Sequence, residues 1–167
     1  VDLTEVKSVA DEATFALDHL EDWMREEAVP TPRLLLGTRS EIRYQPKGVV
    51  LIISPWNYPF NLTLGPLVAA LAAGNCVMIK PSEYTPHSSA VMREMIDDLY
   101  DDREVALVEG DASVAQTLLD QPFDHIYFTG SPEVGSLVMQ AAAKHHASVT
   151  LELGGKSPAV VDATADL

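Results

Sequence analysis

Two side chains in this sequence could take part in chemistry, Asn57 and Glu152. Asn57 lies in the segment Pro55-Trp56-Asn57-Tyr58-Pro59, where a proline on each side fixes the backbone. A side-chain amide held in place can stabilise a developing oxyanion, although Asn also often satisfies the backbone of a turn. Glu152 ends a mostly apolar run, and its burial would suit the carboxyl to general-base catalysis near neutral pH. The alternative is a simple ion pair with Lys156.

Charged and glycine-containing turns occur at two further positions. In Lys80-Pro81-Ser82-Glu83 the ammonium and the carboxylate could together bind the hydroxyl groups of a ribose. An ordinary surface ion pair is the alternative. Gly110 would let a ligand approach the backbone closely. The alternative is a plain turn glycine that contacts no ligand.

A glycine turn also leads into a helix at Thr129-Gly130-Ser131-Pro132-Glu133-Val134-Gly135. Free N–H groups at a helix N-terminus can hold a phosphate. The segment matches neither the P-loop nor the G-x-G-x-x-G fingerprint. The alternative is a capped helix that binds no ligand. Glu133 would repel a phosphate and is expected to point away from it.

Two other features are predicted to have no catalytic role. His145 and His146 lack the spacing of metal ligands, so no metal site is predicted. Cys76 lies in an alternating stretch and is predicted to be a buried, inert thiol.

The elements that must position these residues alternate between strands and helices. Short apolar runs predict strands at 49–53, 76–80, 105–108, 125–128 and 149–153, with a sixth at 159–161. Helices are predicted at 66–73, 88–99, 111–119 and 132–144, with Asp111 and Ser131 as N-caps. This order predicts an α/β fold, a Rossmann-like open parallel sheet with helices on both faces. Ligands of such sheets bind at the carboxyl ends of the strands.

The first 45 residues have a different pattern. An apolar stripe predicts a helix over 3–27, ended by Pro30 and Pro32. Two extended pieces, 34–36 and 40–44, are predicted around Gly37. We therefore expect an N-terminal helix and a short β-arm ahead of the sheet.

Composition excludes several classes of partner. The 167 residues include 11 basic and 25 acidic side chains, a net charge of −14, which disfavours binding to nucleic acid and to anionic membranes. The longest apolar runs are well short of a membrane span. A single cysteine allows no intrachain disulfide, and we expect a cytoplasmic protein. The chain starts at Val1 without a signal peptide and is expected to be the inside of a longer polypeptide.

Five segments, taken in order, resemble the NAD(P)-dependent aldehyde dehydrogenase family. They are Pro55-Trp56-Asn57-Tyr58-Pro59, Lys80-Pro81-Ser82-Glu83, Phe128-Thr129-Gly130-Ser131, Val134-Gly135 and Glu152-Leu153-Gly154-Gly155-Lys156. The resemblance extends from about residue 40 onward, and 40–60 look most like the branch that acts on fatty and aromatic aldehydes. It implies an N-terminal helix and part of an oligomerisation β-arm in 1–45, and an incomplete coenzyme-binding domain in 46–167.

The resemblance also implies residue roles. Asn57 would donate to the oxyanion of a thiohemiacetal, and Glu152 would activate the water that hydrolyses the thioester. Lys80 and Glu83 would hold the adenosine ribose. The coenzyme-binding set implied by the resemblance is Ile53, Ser54, Pro55, Trp56, Lys80, Ser82, Glu83, Gly110, Gly130, Ser131, Val134, Gly135, Leu153 and Gly154. NAD is the expected coenzyme because Glu83 would repel a 2′-phosphate, and NADP remains possible.

The family's nucleophilic cysteine follows this glutamate by a few dozen residues, and no cysteine follows Glu152 here. We therefore expect the coenzyme-binding part of a longer enzyme, inactive alone and assembled at full length as a homodimer or homotetramer, with an aldehyde substrate. The alternative is a stand-alone nucleotide-binding module without catalysis. A reductase of acyl phosphates or acyl-CoA is disfavoured, since it would not need Glu152 to activate water.

Overall fold

The computed structural model describes residues 2–165, and the side chain of Asp2 is outside this description. A π-helical turn, Asp2–Val6, precedes helix α1 (Lys7–Trp23), strand β1 (Glu27–Val29), a 3-10 turn (Arg33–Leu35) and strand β2 (Ser40–Ile42). The main sheet contains β3 (Val49–Ile53), β4 (Cys76–Lys80), β5 (Val105–Leu107), β6 (His125–Gly130) and β7 (Ser148–Leu153). Its helices are α2 (Asn61–Ala72), α3 (Pro86–Leu99), α4 (Ala112–Leu119) and α5 (Pro132–Lys144).

The five strands of the main sheet are parallel and lie in the order β5-β4-β3-β6-β7. The chain enters this sheet at its central strand, β3, and adds β4 and β5 on one side. It then crosses over and adds β6 and β7 on the other side. The order of the strands therefore reverses between β3 and β6, where open α/β sheets form a ligand cleft. The predicted fold class is confirmed.

The central strand β3 is buried on both faces. Val50 and Ile52 pack in one core with α2 and α3, whereas Leu51 and Ile53 pack in a second core with α4 and α5. This explains why β3 is a continuous apolar run rather than an alternating one.

Most of the predicted elements in this sheet are confirmed. The predicted bounds of β3, β4 and α5 are those observed, and the other strands differ from prediction by at most two residues at either end. Asp111 caps α4 by accepting a hydrogen bond from the Ser113 N–H at 2.9 Å. The predicted sixth strand at 159–161 is wrong, because these residues form no strand in the described part of the chain.

Helix α2 begins at Asn61, five residues before the predicted start at Pro66. Pro66 lies inside the helix, where it has no N–H to donate to the carbonyl of Leu62. The helix starts early because Glu5, a residue distant in sequence, bonds to its first N–H groups.

Three predictions in the N-terminal region are wrong. Helix α1 ends at Trp23 instead of residue 27, because Glu27–Val29 pairs with Ser40–Ile42 as a two-stranded antiparallel sheet. Arg39 and Arg43 form ion pairs with Glu26 across this hairpin, and with Glu41 on their own side of it. The predicted extended piece at 34–36 is a 3-10 turn closed by the bond from the Leu35 N–H to the Pro32 carbonyl at 2.9 Å. The extended piece at 40–44 is shorter than predicted.

Among residues 2–165, no helix combines the length and the apolar character needed to cross a membrane. The same residues contain no cluster of His, Cys, Asp and Glu side chains arranged to hold a metal ion.

Candidate active site

A cavity of about 790 Å³ opens at the carboxyl edge of the main sheet. It is lined by all the predicted site residues except Gly110 and Gly135, from the ends of β3, β4, β6 and β7 and the turns that follow them. Asn57 and Glu152 line the same cavity, although they lie 95 positions apart in the sequence (152 − 57). The parallel topology places these ends along one edge.

The side chain of Asn57 is exposed and has no hydrogen-bond partner among the described residues. The amide is therefore not held by the turn, and it does not satisfy the turn's backbone either. What is fixed is the backbone: two prolines bracket the segment, and Tyr58 has a φ of 51°. A non-glycine residue in this left-handed region carries strain of about 1–3 kcal/mol, which the surrounding structure must compensate.

Ser54 fastens the start of this loop to helix α2. Its hydroxyl and that of Thr63 are 2.6 Å apart, and both residues are buried. The Ser54 N–H also donates to the carbonyl of Lys80 at 3.2 Å. The side chain of Ser54 thus supports the loop, and its contribution to the cavity wall is steric.

Lys80 is a buried lysine, with only 3% of the residue exposed. Its ammonium donates to the Pro81 carbonyl at 3.0 Å and to Glu83 Oε2 at 3.2 Å. A surface ion pair, the alternative interpretation, is therefore wrong for this lysine. The backbone N–H of Glu83 itself, and secondarily Lys80, lower the pKa of the Glu83 carboxyl. An ammonium has three donors, which leaves one for a ligand hydroxyl.

The start of α5 is capped by its own residues. Ser131 Oγ accepts from the Val134 N–H at 3.3 Å, and Pro132 has no N–H. The backbone N–H of Glu133 itself and the Ser131 hydroxyl lower the pKa of the Glu133 carboxyl, which is exposed and lies outside the cavity lining as expected.

Two further features lie beside this cap. A Cβ atom at Gly130 would lie 2.4 Å from the ring of the buried Phe128, so the glycine makes room for that ring. Thr129 Oγ1 is buried and, within the described part of the chain, lacks a hydrogen-bond partner. A buried hydroxyl without a partner is costly, and Thr129 is one of the residues that line the cavity.

The expected burial of Glu152 is wrong. Its side chain is exposed at the carboxyl end of β7, the edge strand of the sheet, and it forms no ion pair with Lys156 in the described structure. Burial raises the pKa of the nearby Tyr127 phenol, and the negative charge of Glu152 raises it further. The carboxylate is therefore open to solvent and close to the cavity wall.

Gly110 lies in a smaller neighbouring cavity of about 320 Å³, which shares Ser82 and Glu83 with the larger one. Its φ is +154°, and a Cβ atom there would lie 2.3 Å from Val114 Cγ2. The packing of α4 therefore requires this glycine, whatever its contact with a ligand.

We expect Gly110→Ala to lower the free energy of unfolding by about 1–3 kcal/mol, since the new methyl group has no space and the backbone conformation disfavours alanine. Urea denaturation of the full-length protein measures this. Gly155→Ala is the matched control, because its nearest neighbour would be 4.0 Å away. Equal stability of the two variants would contradict the packing argument.

Gly135 does not line the cavity. A Cβ atom there would lie 2.9 Å from Leu153 Cδ2, so the glycine lets α5 pack closely on β7. Cys76 also departs from prediction: it is the exposed first residue of β4, whose buried positions are Val77, Ile79 and Lys80.

The cavity also contains residues that the sequence patterns did not single out. They are Leu62, Tyr84, Ala112, Ala115 and Tyr127. Phe128 and Thr129 line it too; they belong to the motif segments found in the sequence but not to the predicted binding set. Ala112 and Ala115 follow the Gly110 turn and are spaced i, i+3 on α4. This spacing places both on one face of the helix, which the sequence alone could have indicated. Tyr84 follows Glu83 in an exposed turn, where its sequence position gave no indication of a role.

The model of the aldehyde dehydrogenase family matches residues 2–167. This chain belongs to that family. AldX of Bacillus subtilis is 53% identical over 151 residues, which are 90% of this chain and 34% of AldX. Human aldehyde dehydrogenase family 3 member B1 is 48% identical over 165 residues, 99% of this chain and 35% of the human protein. The chain thus spans about one third of the length of these relatives.

A solved structure with the same fold is Staphylococcus aureus AldH in a substrate-bound state. It is 44% identical with a TM-score of 0.91, over 99% of this chain and 36% of AldH. The cavity described above therefore lies in a known family fold, and the coenzyme implied by the family is NAD(P).

The residues present fit such a coenzyme. The buried Lys80 ammonium and the Glu83 carboxylate offer a donor and an acceptor for ribose hydroxyls. Thr129 adds a polar residue to the cavity wall, and the exposed Trp56 ring adds an apolar surface.

Proposed function

We propose that this chain is the coenzyme-binding part of an NAD(P)-dependent aldehyde dehydrogenase that oxidises an aldehyde to a carboxylic acid. The nucleophilic cysteine, which forms the thiohemiacetal and thioester, would lie beyond this chain. The observation that carries the proposal is that an exposed amide, Asn57, and an exposed carboxylate, Glu152, line one cavity at the carboxyl edge of the sheet. We also propose that residues 1–45 form an N-terminal helix and part of an oligomerisation β-arm, and that residues 46–167 form the coenzyme-binding domain.

Each of the two side chains has one proposed role. The Asn57 amide donates a hydrogen bond to the oxyanion that forms when a thiolate attacks the aldehyde carbonyl. The Glu152 carboxylate later removes a proton from the water that attacks the thioester carbonyl. This role is supported by the place of Glu152 in the cavity wall, and not by the burial expected from the sequence, since its side chain is exposed in the described structure.

The remaining cavity residues would hold the coenzyme, which accepts a hydride when bound. Lys80 and Glu83 bind the ribose hydroxyls, and Trp56, Gly130 and Ser131 contact the adenine and pyrophosphate side. Their location along the ends of β3, β4 and β6 supports this arrangement.

Extension of the reading frame beyond Leu167, followed by an assay of the encoded protein, tests the proposal. We expect a downstream cysteine in a Gly-Gln-x-Cys-like context and aldehyde-dependent reduction of NAD(P). A frame without such a cysteine, or a protein that binds nucleotide without aldehyde-dependent turnover, would instead identify a nucleotide-binding module.

We further propose a preference for NAD over NADP. Glu83 lines the main cavity, and Glu109 and Asp111 line the neighbouring one that shares Glu83. The carboxylates of Glu83 and Asp111 would repel a 2′-phosphate bound beside them. Glu109 adds little net charge, because it is paired with Arg93 at 2.7 Å.

We expect NADH to bind at least about tenfold more tightly than NADPH, which corresponds to ~1.4 kcal/mol. Quenching of protein fluorescence in the full-length protein gives both dissociation constants. Glu83→Gln should tighten NADPH binding more than NADH binding, and Glu94→Gln, exposed on α3 outside the cavity lining, is the control. A wild-type preference for NADPH would contradict the assignment.

The substrate and the assembly are also part of the proposal. The likeness of residues 40–60 to the branch for fatty and aromatic aldehydes favours an apolar aldehyde, and one relative, at 44% identity, is named a 4,4′-diaponeurosporen-aldehyde dehydrogenase. A homodimer or homotetramer is proposed because the tip of the β1–β2 hairpin exposes three leucines, among them Leu34 at 98%. The proposed location is cytoplasmic.

A further inference from the structure

The carboxylate of Glu5 is bonded to the start of helix α2, although the two are 55 positions apart in sequence. Glu5 Oε2 accepts from the Phe60 N–H at 3.1 Å and from the Asn61 N–H at 2.8 Å. The Asn61 side chain in turn donates to the Thr4 carbonyl at 3.1 Å. Glu5 is buried, with 8% of the residue exposed, so this contact is built into the fold.

Helix α2 depends on this distant acceptor. The residue at its N-cap position is Phe60, which has no side-chain acceptor for the first N–H groups of the helix. A carboxylate at a helix N-terminus satisfies these donors and interacts favourably with the helix dipole. Glu5 therefore supplies from the N-terminal turn the cap that the local sequence lacks.

The capped turn is continuous with the loop that carries Asn57. The Leu62 N–H donates to the carbonyl of Tyr58 at 3.0 Å, so the first turn of α2 closes onto the residue after Asn57. Leu62 also lines the main cavity. The loop is thus fastened at its start by Ser54 and Thr63, and at its end by Glu5.

We propose that Glu5 is a positioning residue for Asn57: it fixes the end of the 55–60 loop so that the amide meets the developing oxyanion. The proposal rests on the oxyanion role of Asn57 proposed above. Strain at Tyr58 gives the mechanism, because a left-handed residue relaxes when the bonds that hold its neighbours are removed. A displacement of about 1 Å at a reacting group can cost about 100-fold in rate.

In the full-length protein, Glu5→Ala should slow the pre-steady-state burst of NADH by about 10- to 100-fold. The dissociation constant for NADH should stay within about twofold, because Glu5 does not line the cavity. Glu5→Gln should keep near wild-type burst rates. Both hydrogen bonds converge on a single oxygen, Oε2, and the amide oxygen of glutamine can accept both.

A double-mutant cycle separates positioning from a general loss of structure. If Glu5 acts through Asn57, Glu5→Ala should slow the burst by less than about threefold when Asn57→Ala is already present. Glu5→Asp, whose carboxylate is one methylene shorter, replaces the alanine variant if that variant does not fold. Glu21→Ala is the matched control, since Glu21 is exposed on α1 and lacks a hydrogen bond in the described structure.

Two results would overturn the positioning role while leaving the proposed function intact. One is an unchanged burst rate in Glu5→Ala when Asn57→Ala is slow. The other is a Glu5→Ala effect of equal size in both backgrounds. An unchanged burst rate in Asn57→Ala would instead remove the oxyanion role itself, and the positioning role with it.

Discussion

Glu152→Gln should convert the full-length enzyme into one that forms NADH in a single burst and then nearly stops. Acylation does not need a base for water, so the burst remains, whereas hydrolysis of the thioester loses its base. General-base catalysis contributes about 10²–10⁴-fold, and the steady-state rate should fall by this factor. Stopped-flow measurement of NADH resolves the two phases.

The local structure makes Glu152→Gln a clean test. Glu152 forms no hydrogen bond or ion pair with the described residues, so the amide removes basicity without breaking a contact. Glu94→Gln, the same change on the exposed surface of α3, should leave both phases unchanged. Normal steady-state turnover in Glu152→Gln would remove this residue from the mechanism, and loss of the burst would assign it to acylation instead.

The sheet was predictable because its signals are local. A strand buried on both faces needs a continuous apolar run, and β3 has one, with Val50 and Leu51 facing opposite cores. Caps are equally local: Asp111 and Ser131 precede their helices and accept from N–H groups two and three residues later. With β3, β4, β6 and β7 in place, parallel topology alone brings the end-of-strand residues to one edge.

The failed predictions depend on contacts between residues distant in sequence. The stretch around Glu27 has helical propensity, but pairing with Ile42 makes it a strand. The start of α2 depends on Glu5, and no spacing within the helix reveals that partner. Glu152 was expected to be buried because its strand is apolar, yet β7 is an edge strand, and its last residues face solvent in the described structure.

Asn57→Ala should lower the rate of the NADH burst by about 10²–10³-fold, the usual cost of removing one donor from an oxyanion site. The amide has no hydrogen-bond partner among the described residues, so its loss should change the thermal unfolding midpoint by no more than a surface substitution does. Asn57→Asp separates donation from shape. It keeps the outline of the side chain but places an acceptor where the oxyanion develops, so it should be at least as slow as Asn57→Ala. The dissociation constant for NADH should stay near wild type in the alanine variant, because the proposed loss occurs only in the transition state. A burst rate within about threefold of wild type in Asn57→Ala would show that the oxyanion is stabilised elsewhere.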